Sequence, residues 1–176
     1  PVFGCLIADR FRRLVATGPT MSYWAIMLAV YNNSVEEVIW KTCHLAASAS
    51  GYKRRCEFIY EYGEGSSGKD TSHVIALSFF GSRSRGGLAS ALPATWFTEK
   101  HTVSHDSPSV HLDSVRSMRY VSNNEIPAHR WFNSDALKPL CEHEGTWIMS
   151  RGLYKDLEPW RSMAGLQLTS NFPLVL

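Results

Sequence analysis

The spacing of apolar positions changes twice within the first part of the chain. Residues 2–8 form an apolar run that predicts a strand. After Ser22, a candidate N-terminal cap, apolar residues recur three and four positions apart and predict a helix with one buried face: Tyr23, Ile26, Met27, Val30 and Tyr31. Residues 35–45 are rich in β-branched and aromatic side chains, which favours a second, largely buried strand. Residues 1–46 therefore predict a βαβ unit whose strands are parallel.

The same order of elements recurs in the second part of the chain. Residues 73–80 predict a strand, residues 88–100 a helix disturbed by Pro93, and residues 115–122 a further strand. We therefore expect a second βαβ half over residues 73–124.

The remaining segments predict connections and an added strand. Residues 50–70 have turn-rich ends, including residues 63–68, around a strand-like run at 56–62, which predicts an inserted hairpin. Residues 101–113 predict a loop, and residues 125–176 predict a tail of short helices and turns packed over the sheet. We expect one α+β domain over the whole chain.

Composition narrows the class of protein. A length of 176 residues with 44% apolar and 12% aromatic content is typical of one soluble globular domain. Eighteen basic and sixteen acidic side chains give a net charge of +2, which does not favour nucleic acid or an anionic membrane as a partner. No apolar run is long enough for a membrane span, and charges crowd residues 9–13, so we expect a cytoplasmic protein. The cysteines lack metal-ligand spacing, and His101 and His105, four residues apart, have no third ligand nearby, so we expect no metal.

Pro1 is a candidate catalytic group. An N-terminal proline carries a secondary amine, and the apolar strand that follows it would bring that nitrogen into the interior. Model α-amino groups titrate near ~7.7–8.0, and burial disfavours the ammonium form, so a buried Pro1 nitrogen is suited to general-base catalysis at neutral pH. The alternative is that proline begins the chain for reasons unrelated to catalysis.

Several short stretches, in order along most of the chain, carry a resemblance to a known family. They are Pro1-Val2-Phe3, Ala29-Val30-Tyr31, residues 80–85, Tyr120, residues 125–128, Trp131 with Asn133, and residues 143–147. Together with the repeated βαβ order, they make the chain similar to the tautomerase superfamily, in particular to the subgroup of cis-3-chloroacrylic acid dehalogenase and fungal tautomerase-like proteins. The resemblance implies two βαβ halves in a four-stranded mixed sheet backed by two helices, a homotrimer and no cofactor.

The resemblance also implies roles for individual residues. Pro1 is the expected acid or base, and Arg83 or Arg85 is expected to hold a substrate carboxylate as a bidentate partner. Arg12 is a further candidate for substrate binding. Tyr31 and Tyr120 are expected to donate hydrogen bonds to a developing enolate oxygen.

Asn133 distinguishes the possible reactions. It occupies the neighbourhood in which the dehalogenase has a water-activating glutamate, and an amide cannot act as a general base. Asp135 is an alternative only if the loop is shifted. Hydrolytic dehalogenation is therefore disfavoured relative to proton transfer by Pro1.

The leading hypothesis is a tautomerase or isomerase acting on a small keto-enol or unsaturated carboxylate substrate. A cofactor-independent dehalogenase or hydratase of a haloacrylate-like acid is the alternative within enzymes. A non-catalytic trimeric interaction protein is the alternative outside them. A further alternative is a nucleic-acid binder that uses residues 53–55, which are Lys-Arg-Arg, beside Tyr52, Phe58 and Tyr60.

Overall fold

A computed structural model describes residues 21–51, 56–98, 109–123, 125–128, 131–142 and 147–173. Pro1, Arg12, the predicted strand at 2–8 and the basic run at 53–55 lie outside these residues. Among the helices of the described ranges, none combines the length and the apolar composition needed to cross a bilayer.

The described residues contain six α-helices and six strands. The α-helices are α1 (Met21–Val30), α2 (Val35–Ser50), α3 (Lys69–Phe80), α4 (Ala94–Thr98), α5 (Val110–Val115) and α6 (Ser134–Cys141), and a 3₁₀ turn spans Arg83–Arg85. The strands are β1 (Ile59–Tyr62), β2 (Ala89–Leu92), β3 (Tyr120–Asn123), β4 (Ile148–Ser150), β5 (Glu158–Trp160) and β6 (Gly165–Ser170).

Four strands form one sheet in the order β1-β6-β3-β2, and every neighbouring pair in it is parallel. In the register, Tyr60 lies opposite Leu168, and Val121 lies opposite Leu166. Strands β4 and β5 form a separate antiparallel pair. The prediction of an α+β chain with a four-stranded sheet is confirmed, but the described sheet is parallel rather than mixed. The expected trimer stays a prediction.

Apolar side chains cover both faces of this sheet. On one face, Tyr120 stacks on Phe80 with ring centroids 5.4 Å apart, in a cluster with side chains from α2, α3 and β2. On the other face, Val121, Leu166 and Leu168 pack with residues of α4, α5, α6 and the β4–β5 pair. More than two helices therefore back the sheet, unlike the arrangement that the resemblance implied.

The predicted strand at residues 35–45 is wrong, because this segment lies in helix α2. Ser34 caps the helix by accepting a hydrogen bond from the Glu37 amide, and Glu36 and Glu37 place negative charge in its first turn. Gly51 ends it in the left-handed conformation. These end signals outweigh the β propensity of the interior.

Helix α2 lies close against the start of β6. A Cβ atom at Gly165 would stand 1.9 Å from Ser48 Oγ, so only glycine allows this approach. The contact fixes α2 over the centre of the sheet.

The predicted strand at residues 73–80 is also wrong. These residues belong to helix α3, whose buried residues Ser72, Ala76 and Phe80 recur every four positions. Gly81 follows its last turn, and its amide donates a hydrogen bond to the Leu77 carbonyl.

Three further segments differ from the predictions. Residues 88–100 contain β2 followed by the short helix α4, because Pro93 separates the two. The run at 56–62 contains a strand, β1, but it pairs in parallel with β6 instead of forming a hairpin. Part of the predicted loop at 101–113 lies in α5, and residues 101–108 are outside the described ranges.

The largest correction concerns the tail. Residues 165–170 form the buried strand β6 between β1 and β3, where helices and turns were expected. All six residues of β6 are buried, including polar Gln167, Thr169 and Ser170, so the strand shows no continuous apolar run. A strand covered on both faces also lacks the alternation that marks a half-exposed one.

Because β6 lies at the centre of the sheet, we expect truncation of one of its side chains to lower the free energy of unfolding strongly. We expect Leu168→Ala, at a side chain with 0% exposure, to lower the free energy of unfolding by about 2–5 kcal/mol through lost burial and a residual cavity. Leu153→Ala, at a residue with 61% exposure, is the matched control and is expected to change it by less than about 0.5 kcal/mol. Urea unfolding measures both, and equal effects would contradict this position of β6.

Candidate functional site

All four strands of the sheet end at the same edge, because they run in parallel, and segments that follow three of them meet there. The loop at residues 63–68 follows β1, Glu125 follows β3, and Asn171 follows β6. Side chains and backbone from these segments line a cavity of about 570 Å³. Proteins with parallel sheets bind ligands beyond the carboxyl ends of the strands, so we expect a ligand site at this edge.

The loop after β1 has a backbone that its glycines permit. Gly68 has φ +91°, and a Cβ atom there would lie 2.9 Å from a methyl group of Val30. Both the left-handed conformation and the close approach to Val30 require glycine at this position. Ser66 also has a positive φ, of 64°, so the loop turns twice within three residues.

The loop leads directly into the N-terminus of α3. Gly68 is the N-terminal cap, and no side chain caps this end of the helix. The first amides of a helix lack partners within it, and they carry the positive end of the helix dipole. Such an end attracts anions, and phosphate groups in particular.

Lys69 bends back over this loop. Its Nζ donates to the carbonyl oxygens of Gly63 at 2.7 Å and Glu64 at 3.0 Å, and to Ser67 Oγ at 3.1 Å. It also donates to Asn171 Oδ1 at 3.0 Å. The ammonium group therefore lies between the loop and the end of β6, held by neutral acceptors that an anion can replace.

Glu125 completes the polar edge. Its carboxylate accepts a hydrogen bond from the Asn171 side chain amide. Asn171 thus bridges Lys69 and Glu125, and it joins a cation from one strand end to a carboxylate from another. Asn123, at the end of β3, also lines the cavity and accepts a hydrogen bond from the Thr169 amide at 2.7 Å.

The sequence of the loop matches the geometry. Residues 63–69 read Gly-Glu-Gly-Ser-Ser-Gly-Lys between a strand and a helix, which is the G-x-x-x-x-G-K spacing of a phosphate-binding loop. The pattern normally continues with a serine or threonine that contacts magnesium. This chain has Asp70 there, followed by Thr71, so a carboxylate takes the place of the hydroxyl.

A buried ion pair lies beneath the loop. Lys41 of α2 has 1% exposure, and its Nζ donates to Glu61 Oε1 of β1 at 2.6 Å. Lys41 also donates to the Gln167 side chain carbonyl, and Gln167 Nε2 donates to Glu61 Oε2 at 2.8 Å. Burial lowers the pKa of Lys41 from its usual value, and the Glu61 carboxylate opposes that shift.

Both predicted tyrosines belong to this buried polar network. The Tyr31 hydroxyl donates to Glu61, and the Tyr120 hydroxyl donates to Gln167 Oε1 at 2.6 Å. Burial, with the nearby Glu61 charge second, raises the pKa of each hydroxyl above its usual value. The tyrosines therefore stay protonated, and they brace the helices against the sheet.

His73 of α3 extends the network towards the cavity that it lines. Because the Tyr120 hydroxyl gives its proton to Gln167, its oxygen accepts from His73 Nδ1 at 3.0 Å. That assigns the proton to Nδ1 and leaves Nε2 as an acceptor, 3.5 Å from Ser122 Oγ. Burial first and the Lys41 charge second lower the pKa of His73.

The predicted arginines lie in the turn after α3. Arg83 Nη1 donates to the Asp113 carbonyl at 2.6 Å, and Arg85 is exposed beside a different cavity of about 440 Å³. They follow a helix rather than the expected strand. Neither lines the cavity at the strand ends, and Pro1 and Arg12 lie outside the described residues.

Asn133 has a structural contact in this fold. It is the N-terminal cap of α6, where its side chain oxygen accepts from the Asp135 amide at 3.1 Å. The backbone amide of Asn133 donates a hydrogen bond to the Phe97 carbonyl oxygen at 2.7 Å. The structure therefore joins the two tyrosines in one network, and Asn133 and the arginines make their contacts in other parts of the fold.

The sequence analysis missed the residues at the strand ends. Gly63, Gly68 and Lys69 were assigned to a turn-rich border, although their spacing was visible in the sequence. No sequence motif marks Glu125 or Asn171, because these residues come close to Lys69 only when β6 lies at the centre of the sheet. The described residues hold no group of three His, Cys, Asp or Glu side chains arranged for a metal ion.

The shifted pKa of His73 predicts a pH dependence of stability. The unfolded histidine takes up a proton near pH ~6.5, whereas the folded one resists protonation until a lower pH. The folded state is therefore favoured above pH ~6.5 and loses stability as the pH falls through the window below it.

We expect His73→Asn, which keeps a donor for Tyr120, to reduce the loss of unfolding free energy between pH 7.5 and 5.0. His111→Asn, at an exposed histidine, is the matched control and should leave that loss unchanged. Urea unfolding at the two pH values measures this. Equal pH dependence in the parent and His73→Asn would show that the contribution assigned to His73 is absent.

Comparison with known proteins adds no family assignment: no protein-family model matches the chain, and no curated protein matches it. The resemblance to the tautomerase superfamily therefore stays a prediction, as does the role of Pro1.

Proposed function

We propose that this protein binds a magnesium–nucleoside triphosphate at the edge formed by β1, β3 and β6, and that it hydrolyses the terminal phosphate. The single observation that carries the proposal is the strand, G-x-x-x-x-G-K loop and helix formed by residues 59–80. The geometry of this unit supports binding of the phosphates, and the neighbouring strand ends support chemistry on them.

The phosphates would take over contacts that the loop now makes with itself. The free amides at the start of α3 suit the phosphate oxygens, and Lys69 would exchange the Gly63 and Glu64 carbonyls for them. An ammonium held by carbonyl oxygens gains from this exchange, because hydrogen bonds between charged groups are stronger.

Magnesium fits this edge as part of the nucleotide complex. Mg²⁺ usually binds proteins through one or two carboxylates together with substrate phosphates. Asp70 offers such a carboxylate, at the position where phosphate-binding loops carry the hydroxyl that contacts magnesium, and Glu125 adds a second negative charge to the cavity wall. Because these acidic groups repel a bare triphosphate, we expect binding to require the metal.

Glu125 is the best-placed group to orient the attacking water. Its hydrogen bond to Asn171, which in turn contacts Lys69, keeps its carboxylate on the cavity side of β3. In the proposed reaction, water attacks the γ-phosphorus, and the bond from that phosphorus to the β–γ bridging oxygen breaks. The products are a nucleoside diphosphate and inorganic phosphate. Glu125 takes up the proton of the water.

Removal of the loop lysine tests the binding step. We expect Lys69→Ala to weaken binding of magnesium–ATP by about 10- to 100-fold, since it deletes a charged donor to the phosphates. Isothermal titration calorimetry measures this, with EDTA added in a parallel arm to show the metal requirement. Lys155→Ala, at a side chain with 68% exposure, is the control and should bind as the parent does. Binding of magnesium–ATP unaffected by Lys69→Ala would contradict the proposal.

Neutralisation of the strand-end carboxylate separates binding from hydrolysis. We expect Glu125→Gln to keep magnesium–ATP affinity within a few fold and to lower the rate of phosphate release by about 100-fold or more. Glu158→Gln, which disturbs only a surface pair with Arg116, is the matched control. Unchanged phosphate release in Glu125→Gln, under conditions in which the parent turns over, would rule out the role of Glu125.

A further inference from the structure

A second cavity adjoins the proposed phosphate loop, residues 63–69, on the side away from the cavity at the strand ends. It has a volume of about 460 Å³ and lies between the end of α1, helix α2 and strand β1. Ser67 and Lys69 line both this cavity and the one at the strand ends. A molecule with its phosphates at Lys69 would therefore have direct access to the second cavity.

One aromatic ring of helix α2 lines this second cavity. Trp40 has 49% exposure, so a large part of its ring is open to a ligand. Tyr60 and Tyr62, two residues apart on β1, lie on the face of the strand opposite Glu61 and stack there on each other, with ring centroids 6.2 Å apart. An exposed ring that lines a cavity offers a stacking surface to a flat ligand.

The rim of the cavity is polar. Asn32, Ser34 and Glu37 line it, at the turn into α2. A carboxylate accepts hydrogen bonds and donates none, so Glu37 suits a ligand edge that carries amino hydrogens. Lys41 and Glu61 also line the cavity. They are already paired with each other, so this part of the wall presents little net charge.

We infer that the second cavity holds the base of the nucleotide, and that it favours a purine that carries an amino group, adenine or guanine. The inference rests on the proposed function, since it needs a triphosphate at Lys69. Trp40 supplies stacking, and Glu37 accepts from the amino group. Uracil has a smaller ring and no amino group, so UTP gains less from this cavity.

Calorimetric titration of the full chain with magnesium tests the inference. The ligands are inorganic tripolyphosphate, ATP, GTP and UTP. We expect ATP or GTP to bind at least about ten-fold more tightly than tripolyphosphate and more tightly than UTP. Trp40→Ala should lower ATP affinity about ten-fold and leave tripolyphosphate affinity unchanged.

Two control variants keep the outcome interpretable. Tyr154→Ala removes a fully exposed ring between β4 and β5, away from both cavities, and should bind every ligand as the parent does. Trp40→Phe keeps an aromatic face and should retain most of the ATP affinity. Circular dichroism checks that each variant is folded.

The results separate the two proposals. Tripolyphosphate binding that depends on Lys69, with ATP, GTP and UTP no tighter than tripolyphosphate, would overturn the base cavity and leave the proposed function standing. No binding of any triphosphate would overturn both. ATP affinity that is the same in Trp40→Ala as in the parent would also overturn the base cavity.

Discussion

The parallel alignment of β1, β6 and β3 is the constraint on which the proposed site depends. Parallel pairing brings the carboxyl ends of these strands to one edge, so the loop at 63–68, Glu125 and Asn171 meet there although they are far apart in sequence. The hydrogen bonds from Lys69 to Asn171 and from Asn171 to Glu125 are its direct consequence. An antiparallel β6 would place Asn171 at the opposite edge and leave Lys69 without this partner.

The buried network beneath β1 explains how the loop is held. Glu61 accepts hydrogen bonds from Lys41, Tyr31 and Gln167, and so ties α2, the end of α1 and β6 to the strand that leads into the loop at residues 63–68. A buried carboxylate with one partner removed is costly, typically by several kcal/mol, so the contacts support one another. Tyr31, Lys41 and Glu61 of this network also line the second cavity, so the network links the position of the loop at residues 63–68 to the proposed base site.

Some of this architecture was accessible from the sequence. Helix α1, the strand within 56–62 and the α+β class followed from apolar spacing and β propensity. The strand predicted at residues 35–45 was wrong because their β-branched and aromatic side chains favour a strand, whereas Ser34 and Glu37, the capping pair, begin helix α2. Strand β6 was missed because burial on both faces and its polar residues remove the usual pattern. Of the site, only the glycine and lysine spacing was visible in advance, since Glu125 and Asn171 join it through tertiary pairing alone.

The most direct measurement is a crystal structure of the full chain with magnesium and a slowly hydrolysed ATP analogue. We expect the β- and γ-phosphates to lie on the amides of residues 65–70, and Lys69 Nζ to leave the Gly63 and Glu64 carbonyls and contact them. Phosphates bound elsewhere on the molecule, with Lys69 still held by those carbonyls, would contradict this expectation.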